Sequence, residues 1–101
     1  MKLKVTRSTR VFRDMGFSPE EAEHLNVRSE LMASLQKLIS SRGLKQAQAA
    51  KVLGVTQPRV SNLIRGRIDV FSIDTLVDML ARLGISVKLV TRPSRRRTGV
   101  A

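Results

Sequence analysis

The sequence lacks most of the residues on which catalysis, metal binding and base stacking depend. Among its 101 residues there is no cysteine, no tryptophan and no tyrosine, with three phenylalanines and one histidine. Without cysteine, a disulfide framework, a thiolate metal site and a thiol nucleophile are excluded. His24 has no neighbouring ligands, and no glycine-rich phosphate loop or Ser/His/acid set occurs, so we expect no enzyme and no metal or cofactor. So few aromatic residues also argue against a stacking platform for single-stranded nucleic acid.

Long apolar runs are absent as well. The first eight residues contain no apolar core of the kind that a secretory signal needs. No apolar run approaches the roughly 20 residues of a membrane span. We therefore expect a cytoplasmic protein that binds no membrane. A chain of this length has room for one domain with a modest core, which dimerisation would help to stabilise.

Acidic residues are few and unevenly placed. Nineteen lysines and arginines face eight acidic residues, which leaves a net charge of +11. No acidic residue lies between Glu30 and Asp69, a stretch that contains Lys37, Arg42, Lys45, Lys51, Arg59, Arg65 and Arg67. This surplus favours nucleic acid as a partner, ahead of an anionic membrane or an acidic protein. A merely solvated basic surface is the simplest alternative.

Local patterns divide the chain into four segments. Residues 1–17 predict a basic arm with an apolar docking end, in which a short strand at Leu3 and Val5 is an open alternative. Residues 18–84 predict the helical domain. Residues 85–91 alternate apolar and polar side chains and predict a strand without a partner inside a helical chain, so we expect pairing with a second copy across a dimer axis. Residues 92–101 predict a disordered basic tail that either follows DNA phosphates or stays solvated.

Two serines predict where helices begin. Ser18 is followed by Pro19 and Glu21, which is typical of a capped helix start with a capping box. The polar stretch at residues 26–29 can divide this long helix into two. Ser72 predicts the cap of a last helix whose apolar residues recur at helical spacing.

Residues 45–66 carry the pattern of a helix-turn-helix. Ala50 is small where the two short helices would cross, and Gly54 suits the left-handed corner between them. Thr56 can cap the second helix. The apolar residues of that second helix lie on one side only: Val60, Leu63 and Ile64.

The other side of the second helix carries polar side chains that suit base edges. Amides can bond adenine in bidentate fashion, and arginine can do the same with guanine. The predicted base-reading residues are Gln57, Pro58, Arg59, Ser61 and Asn62. Pro58 would offer only apolar contact. The predicted contacts to the DNA backbone are Lys45, Gln46, Thr56, Arg65 and Arg67.

The segment resembles the helix-turn-helix of the lambdoid phage repressor superfamily, often called the Xre family. The resemblance covers Ala50, Gly54, Val60 and Leu63 at their spacing and the Thr56-Gln57 pair. It implies an all-α, lambda-repressor-like bundle of five helices over residues 18–84. It also implies a dimeric, sequence-specific regulator of transcription that binds double-stranded DNA and acts as a repressor.

Residues 11–22, together with the long helix and the motif, are similar to the HigA-type antitoxin subgroup of this family. That resemblance implies a homodimer that neutralises a ribonuclease toxin and represses its own promoter. Such toxins are usually basic, so we expect the contact to use the acidic residues Glu20, Glu21 and Glu23. The alternative for these acids is that they only stabilise the first turn of their helix through its dipole. The alternative is a protein-interaction module, toxin-neutralising or scaffolding, that binds DNA only non-specifically.

Overall fold

Four α-helices and a two-stranded sheet form the described part of the chain. The computed structural model describes the backbone of residues 2–5 and the whole of residues 15–91 and 93. In chain order, the elements are β1 (Lys2–Val5), α1 (Pro19–Ser41), α2 (Gln46–Leu53), α3 (Gln57–Ile64), a 3-10 helix (Ile68–Val70), α4 (Ile73–Arg82) and β2 (Ser86–Leu89).

Helix α1 begins with the predicted capping box. The Ser18 hydroxyl accepts the backbone N–H of Glu21 at 3.1 Å, and the Glu21 carboxylate accepts the backbone N–H of Ser18 at 3.0 Å. Pro19 follows in the first turn, where its missing N–H costs no hydrogen bond. The two reciprocal bonds satisfy amides that the helix itself leaves without partners.

The capping box predicts a pH dependence. The hydrogen bonds that the Ser18 backbone and hydroxyl make with Glu21 lower the pKa of that carboxyl below its ordinary value of 4.5. A lowered pKa in the folded state means that the cap stabilises the fold above the ordinary glutamate pKa and is lost as the pH falls through the folded value. Ser18→Ala keeps the backbone N–H, which contributes most to this lowering, and removes only the hydroxyl. We therefore expect it to raise the pKa of Glu21 part of the way back, measured by carbon-13 NMR of its carboxyl. Ser40→Ala, at the other end of α1, serves as the control, and an unchanged Glu21 titration in Ser18→Ala would show that the hydroxyl makes no contribution.

The expected division of α1 into two helices is wrong. Asn26, in the polar stretch that suggested a break, is buried, and its side-chain amide donates to the Glu30 carboxylate at 3.1 Å, one turn along. Because the Asn26 amide bonds a side chain of its own helix, it does not compete for the backbone hydrogen bonds of α1. Residues 15–91 therefore contain four α-helices and a short 3-10 helix rather than five α-helices.

The core lies between α1 and the remaining helices. Helix α1 packs against α4, α3 and the 3-10 helix, while α2 packs against α3 and α4. The largest fully buried side chains are Phe71, Leu31, Leu35, Leu63, Leu76, Leu80 and Val60. These residues come from α1, α3, α4 and the approach to α4, so burial of one apolar cluster fixes α3 on the body of the domain.

The C-terminal strand has a partner within the chain, contrary to expectation. Strand β2 occupies Ser86–Leu89 within the predicted segment 85–91, and it pairs in parallel with β1. The register runs from Lys2 opposite Ser86 to Val5 opposite Leu89. Parallel strands need a long crossover, and here the whole helical bundle provides it. The rest of the predicted arm up to residue 14, and the predicted tail at 92 and 94–101, lie outside the described residues.

Candidate nucleic-acid interface

Helices α2 and α3 form the predicted helix-turn-helix. Gly54 caps α2 in the left-handed conformation at φ 71°, and the N–H of Val55 donates to the Ala50 carbonyl at 3.0 Å. Thr56 then caps α3, with its hydroxyl accepting the N–H of Arg59 at 3.4 Å. The two helices meet through small and apolar buried side chains: Ala49, Ala50, Leu53, Val60 and Leu63. The corner and both helix starts are thus fixed by local chemistry.

Gly54 is also held by a contact that the sequence does not reveal. A Cβ atom built at Gly54 would lie 2.7 Å from the guanidinium carbon of Arg82, at the end of α4. The side chain of Arg82 therefore lies directly over the corner of the motif. The left-handed backbone selects glycine at this position, whereas the guanidinium of Arg82 is the free end of an exposed side chain that can move aside.

Substitution separates the backbone constraint from the contact with Arg82. Gly54→Ala should destabilise the fold by about 1–2 kcal/mol from the left-handed conformation, while the exposed end of Arg82 moves aside at little cost. Gly84 is the matched control, because it has φ 83° but nothing within 4 Å of an added Cβ. In thermal unfolding, Gly54→Ala and Gly84→Ala should therefore lower Tm by similar amounts. A larger loss for Gly54→Ala that vanishes in an Arg82→Ala background would show instead that Arg82 resists displacement.

Four of the five predicted base-reading residues lie along the accessible side of α3. Gln57 and Pro58 are exposed in its first turn, while Ser61 and Asn62 are half-buried one turn later. The Asn62 carboxamide oxygen accepts a bond from the Arg65 guanidinium at 3.3 Å. Its amide nitrogen is the end that could donate to a base. The helix thus presents two amides and a hydroxyl on one short surface.

Arg59, the fifth predicted reader, is anchored to the body of the protein. Its guanidinium carbon lies 4.4 Å from the centroid of the Phe71 ring. Its Nη1 donates to the carbonyl oxygen of Val70 at 3.0 Å. Arg59 is accordingly half-buried. The sequence pattern predicted that Arg59 lies on the polar, outer side of α3. It could not predict the contact with Phe71, because that contact depends on where the 3-10 helix places the ring.

The predicted DNA-backbone residues frame the start of α2 and both ends of α3. Lys45 and Gln46 are exposed at the beginning of α2, where the backbone N–H of Lys45 donates to the Gln48 side chain at 2.9 Å. Thr56 is exposed at the start of α3, and Arg65 is exposed immediately after its end. Helix α2 has no acidic residue in its first turn, so no carboxylate would compete there with a phosphate.

Arg67 differs from the other predicted backbone contacts because it has an acidic partner. Its guanidinium meets the Asp69 carboxylate through two bonds, at 3.2 and 3.3 Å. Hydrogen bonding within this pair lowers the pKa of Asp69 and raises the pKa of Arg67. Both groups are solvent-exposed, so the pair is open to competition from a phosphate.

Helix α1 supports the motif through long polar side chains that sequence reasoning missed. The Gln36 amide donates to the Leu63 carbonyl at 2.8 Å and to the Ile64 carbonyl at 3.4 Å. Arg28 donates to the Ile68 carbonyl at 3.3 Å. Helix ends leave carbonyls without intrahelical partners, so Gln36 caps α3 from outside. No local signal marks such a donor, since donor and acceptor are far apart in sequence.

The predicted partner-binding acids lie at the N-terminal end of α1. Glu20 and Glu21 are exposed, and Glu23 is half-buried. Glu20 and Glu21 line an open pocket of about 320 Å³ together with Phe17, His24, Leu25 and Arg28. Among residues 2–5 and 15–91, no group of His, Asp and Glu side chains could hold a metal ion, and no helix is long and apolar enough to cross a bilayer.

Comparisons with known proteins match most of the chain. Residues 11–92 match the family model described as a helix-turn-helix domain. A relative from Haemophilus influenzae, described as an uncharacterized HTH-type transcriptional regulator, is 32% identical over 82 residues, which cover 78% of this chain and 80% of the relative. A solved structure described as a candidate XRE family transcriptional regulator superposes with a TM-score of 0.68 at 33% identity, covering 80% of this chain and 91% of that one.

Proposed function

Because this chain belongs to the XRE-type helix-turn-helix family of transcriptional regulators, we propose that it is a sequence-specific repressor that reads double-stranded DNA with α3. The family implies binding to duplex DNA. The observation that carries specific reading is the surface of α3, a capped helix whose accessible side presents Gln57, Ser61 and Asn62. We infer that it acts on the nucleoid, in the cytoplasm.

The proposed docking places the first turn of α3 in the major groove. Base edges there carry donor and acceptor patterns that amides and arginine can distinguish. Gln57 and Pro58 would then approach the bases first, and Ser61 and Asn62 would follow on the next turn. The start of α2 would rest on a phosphate, held by Gln46 and the free N–H groups of the helix end.

Charge supports this orientation. The stretch between Glu30 and Asp69 contains α2 and α3 and no acidic residue. Its arginines and lysines can replace the counterions condensed on DNA, which supplies affinity for any sequence. In this non-specific binding, Arg67 would exchange its ion pair with Asp69 for one with a DNA phosphate.

A homodimer forms part of the proposal. The two-stranded sheet leaves one edge of each strand without a partner in the described residues, and Leu89 is exposed there. Isolated two-stranded sheets are marginally stable, and open edges favour pairing with another chain. A two-fold axis beside the sheet would give an isologous four-stranded sheet and two copies of α3 for a palindromic site.

The proposal also includes an antitoxin role, in which this protein binds a ribonuclease. The support is the acidic start of α1, where Glu20 and Glu21 border an apolar pocket on an otherwise basic protein. A basic ribonuclease would be attracted to this end. Charge reversal of Glu20, Glu21 and Glu23 to lysine should abolish co-purification with a ribonuclease encoded beside this gene, whereas Asp78→Lys on α4 should not. Retained co-purification in the triple variant would overturn this assignment.

The DNA-binding proposal is tested by fluorescence anisotropy. The full chain is titrated onto duplex DNA from upstream of its own gene and onto a scrambled duplex, at two salt concentrations. We expect a preference of about 10³ or more that survives the higher salt. Equal and steeply salt-dependent binding to both duplexes would instead favour the protein-interaction module with only non-specific affinity for DNA.

A further inference from the structure

We propose that Phe71 is a positioning residue for DNA specificity, because its ring and the neighbouring Val70 carbonyl hold Arg59 with its hydrogen-bonding edge turned toward the groove. Phe71 is buried and cannot itself touch DNA. The inference rests on the proposed reading of bases by α3 and goes beyond it, since it assigns a specificity role to a core residue outside the helix-turn-helix.

The geometry restrains Arg59 in two directions. The ring of Phe71 lies 4.4 Å from the guanidinium carbon, which fixes the position of the group on one side. The bond from Nη1 to the Val70 carbonyl, 3.0 Å long, limits rotation of the group over the ring. A side chain with many rotatable bonds is thereby ordered before any DNA is present.

These contacts leave donors for recognition. A guanidinium has five N–H groups in one plane, and the bond to Val70 uses one of them. The ring contact is made by the guanidinium itself and uses no N–H. The edge that carries Nη2 retains its donors, and guanine presents two acceptors, O6 and N7, that suit a pair of in-plane donors. Arg59 can therefore remain on Phe71 while it binds a guanine.

The anchor is itself fixed. Phe71 immediately precedes Ser72, whose hydroxyl caps α4 by accepting the Thr75 N–H at 3.1 Å. The 3-10 helix that ends at Val70 is held to α1 by the bond from Arg28 to the Ile68 carbonyl. The two groups that contact Arg59 are thus themselves held in place by α1 and α4. Pre-ordering of this kind reduces the entropy lost on binding and penalises a base pair that does not match the fixed donors.

The test compares Phe71→Leu with Arg59→Ala, Arg59→Lys and the wild type. The DNA is a site selected from random duplexes by the wild-type protein, with single-base variants of that site and a scrambled duplex. We expect Phe71→Leu to lose about tenfold in affinity for the selected site, a part of the loss in Arg59→Ala, with unchanged affinity for scrambled DNA. The loss should map to the same base pair in both variants. Arg59→Lys should not restore it, because an ammonium group lacks the planar pair of donors.

Stability needs a separate control, since Phe71 belongs to the core. Leu76→Ile, a change at a fully buried position of α4, should lower Tm and leave the DNA preference intact. Proton NMR gives a readout that is independent of DNA: the Arg59 side-chain signals should be displaced by the ring current in the wild type and return toward ordinary values in Phe71→Leu. Absence of that displacement in the wild type would overturn the inference.

The binding outcomes separate the inference from its premise. A wild type that selects a site while Phe71→Leu keeps the full preference would overturn the role of Phe71 and leave the proposed function standing. If Phe71→Leu and Arg59→Ala both lowered Tm without changing the DNA preference, the contact between Arg59 and Phe71 would be purely structural. A wild type that selects no site would overturn the proposed function and the inference together.

Discussion

Leu63→Ala is expected to lower the free energy of unfolding by about 3 kcal/mol, one of the largest losses available from a single side chain of this domain. Leu63 has no solvent exposure and lies on the inner side of α3, within the cluster that joins α3 to α1 and α4. Truncation removes apolar contacts and leaves a cavity that the rigid helices cannot close. For a domain of this size, that loss corresponds to a Tm lower by roughly 12–24 °C, measured by circular dichroism.

Ile64 provides the matched control for Leu63. It is the next residue on the same helix, it has the same number of side-chain atoms, and it is 42% exposed. Ile64→Ala should cost less than about 1 kcal/mol, because little buried surface is removed. Both variants gain alanine on the same helix, and the helix propensities of leucine and isoleucine differ by only a few tenths of a kcal/mol, so most of the difference between the two variants measures burial. Equal losses would contradict the orientation of α3.

The second large expected effect concerns DNA. Replacing both Gln57 and Asn62 with alanine should reduce affinity for a selected operator by about 10²–10³, since each lost amide contact to a base is worth roughly 1–3 kcal/mol. Affinity for scrambled DNA and the dependence of binding on salt should be unchanged, because no charge is altered. Anisotropy titrations on both duplexes give the two affinities.

Ser40→Ala, an exposed change on α1 outside the motif, serves as the control for this pair and should bind both duplexes as the wild type does. If the double alanine variant retained operator preference, α3 would not be the reading element. Equal losses on operator and scrambled DNA would instead indicate damage to the fold, which the unfolding curve of the same variant would reveal.

The sequence predicts those parts of the fold that depend on neighbours along the chain. The capping box of Ser18 and Glu21, the left-handed corner at Gly54, and the caps at Thr56 and Ser72 all use residues within four positions of each other. The inward side of α3 follows from the spacing of Val60 and Leu63. Such features are visible in sequence because their physics is local.

Contacts between distant residues were not predictable in the same way. The donor Gln36 reaches α3, the ring of Phe71 supports Arg59, and the guanidinium of Arg82 covers Gly54. Each of these joins parts of the chain that lie far apart in the sequence, and their relative placement follows from the packing of the whole core. The sequence therefore predicts candidate base-reading residues, but it does not predict which of them, such as Arg59, contact the rest of the fold.

Asn26 shows a different limit. A polar cluster within a long helix favours a break, yet this amide is buried and bonds Glu30 on the same helix. The partner was visible at a spacing of four residues, which is the spacing of side chains that meet on a helix. The sequence therefore contained a signal that the helix continues through Asn26, and the bond to Glu30 outweighs the general preference of asparagine for turns.

The parallel pairing of β1 with β2 sets an order of events during synthesis. Lys2 cannot meet Ser86 until nearly the whole described chain has been made, whereas the helix-turn-helix needs only α1, α4 and its own two helices to bury its apolar side. Closing so long a loop is costly in chain entropy, and only the contacts of four paired positions in the sheet offset that cost. The helices can therefore assemble on the emerging chain before the sheet exists. Strand β1 is made before the helices but pairs after them, and in hydrogen exchange its amides should be among the first to open.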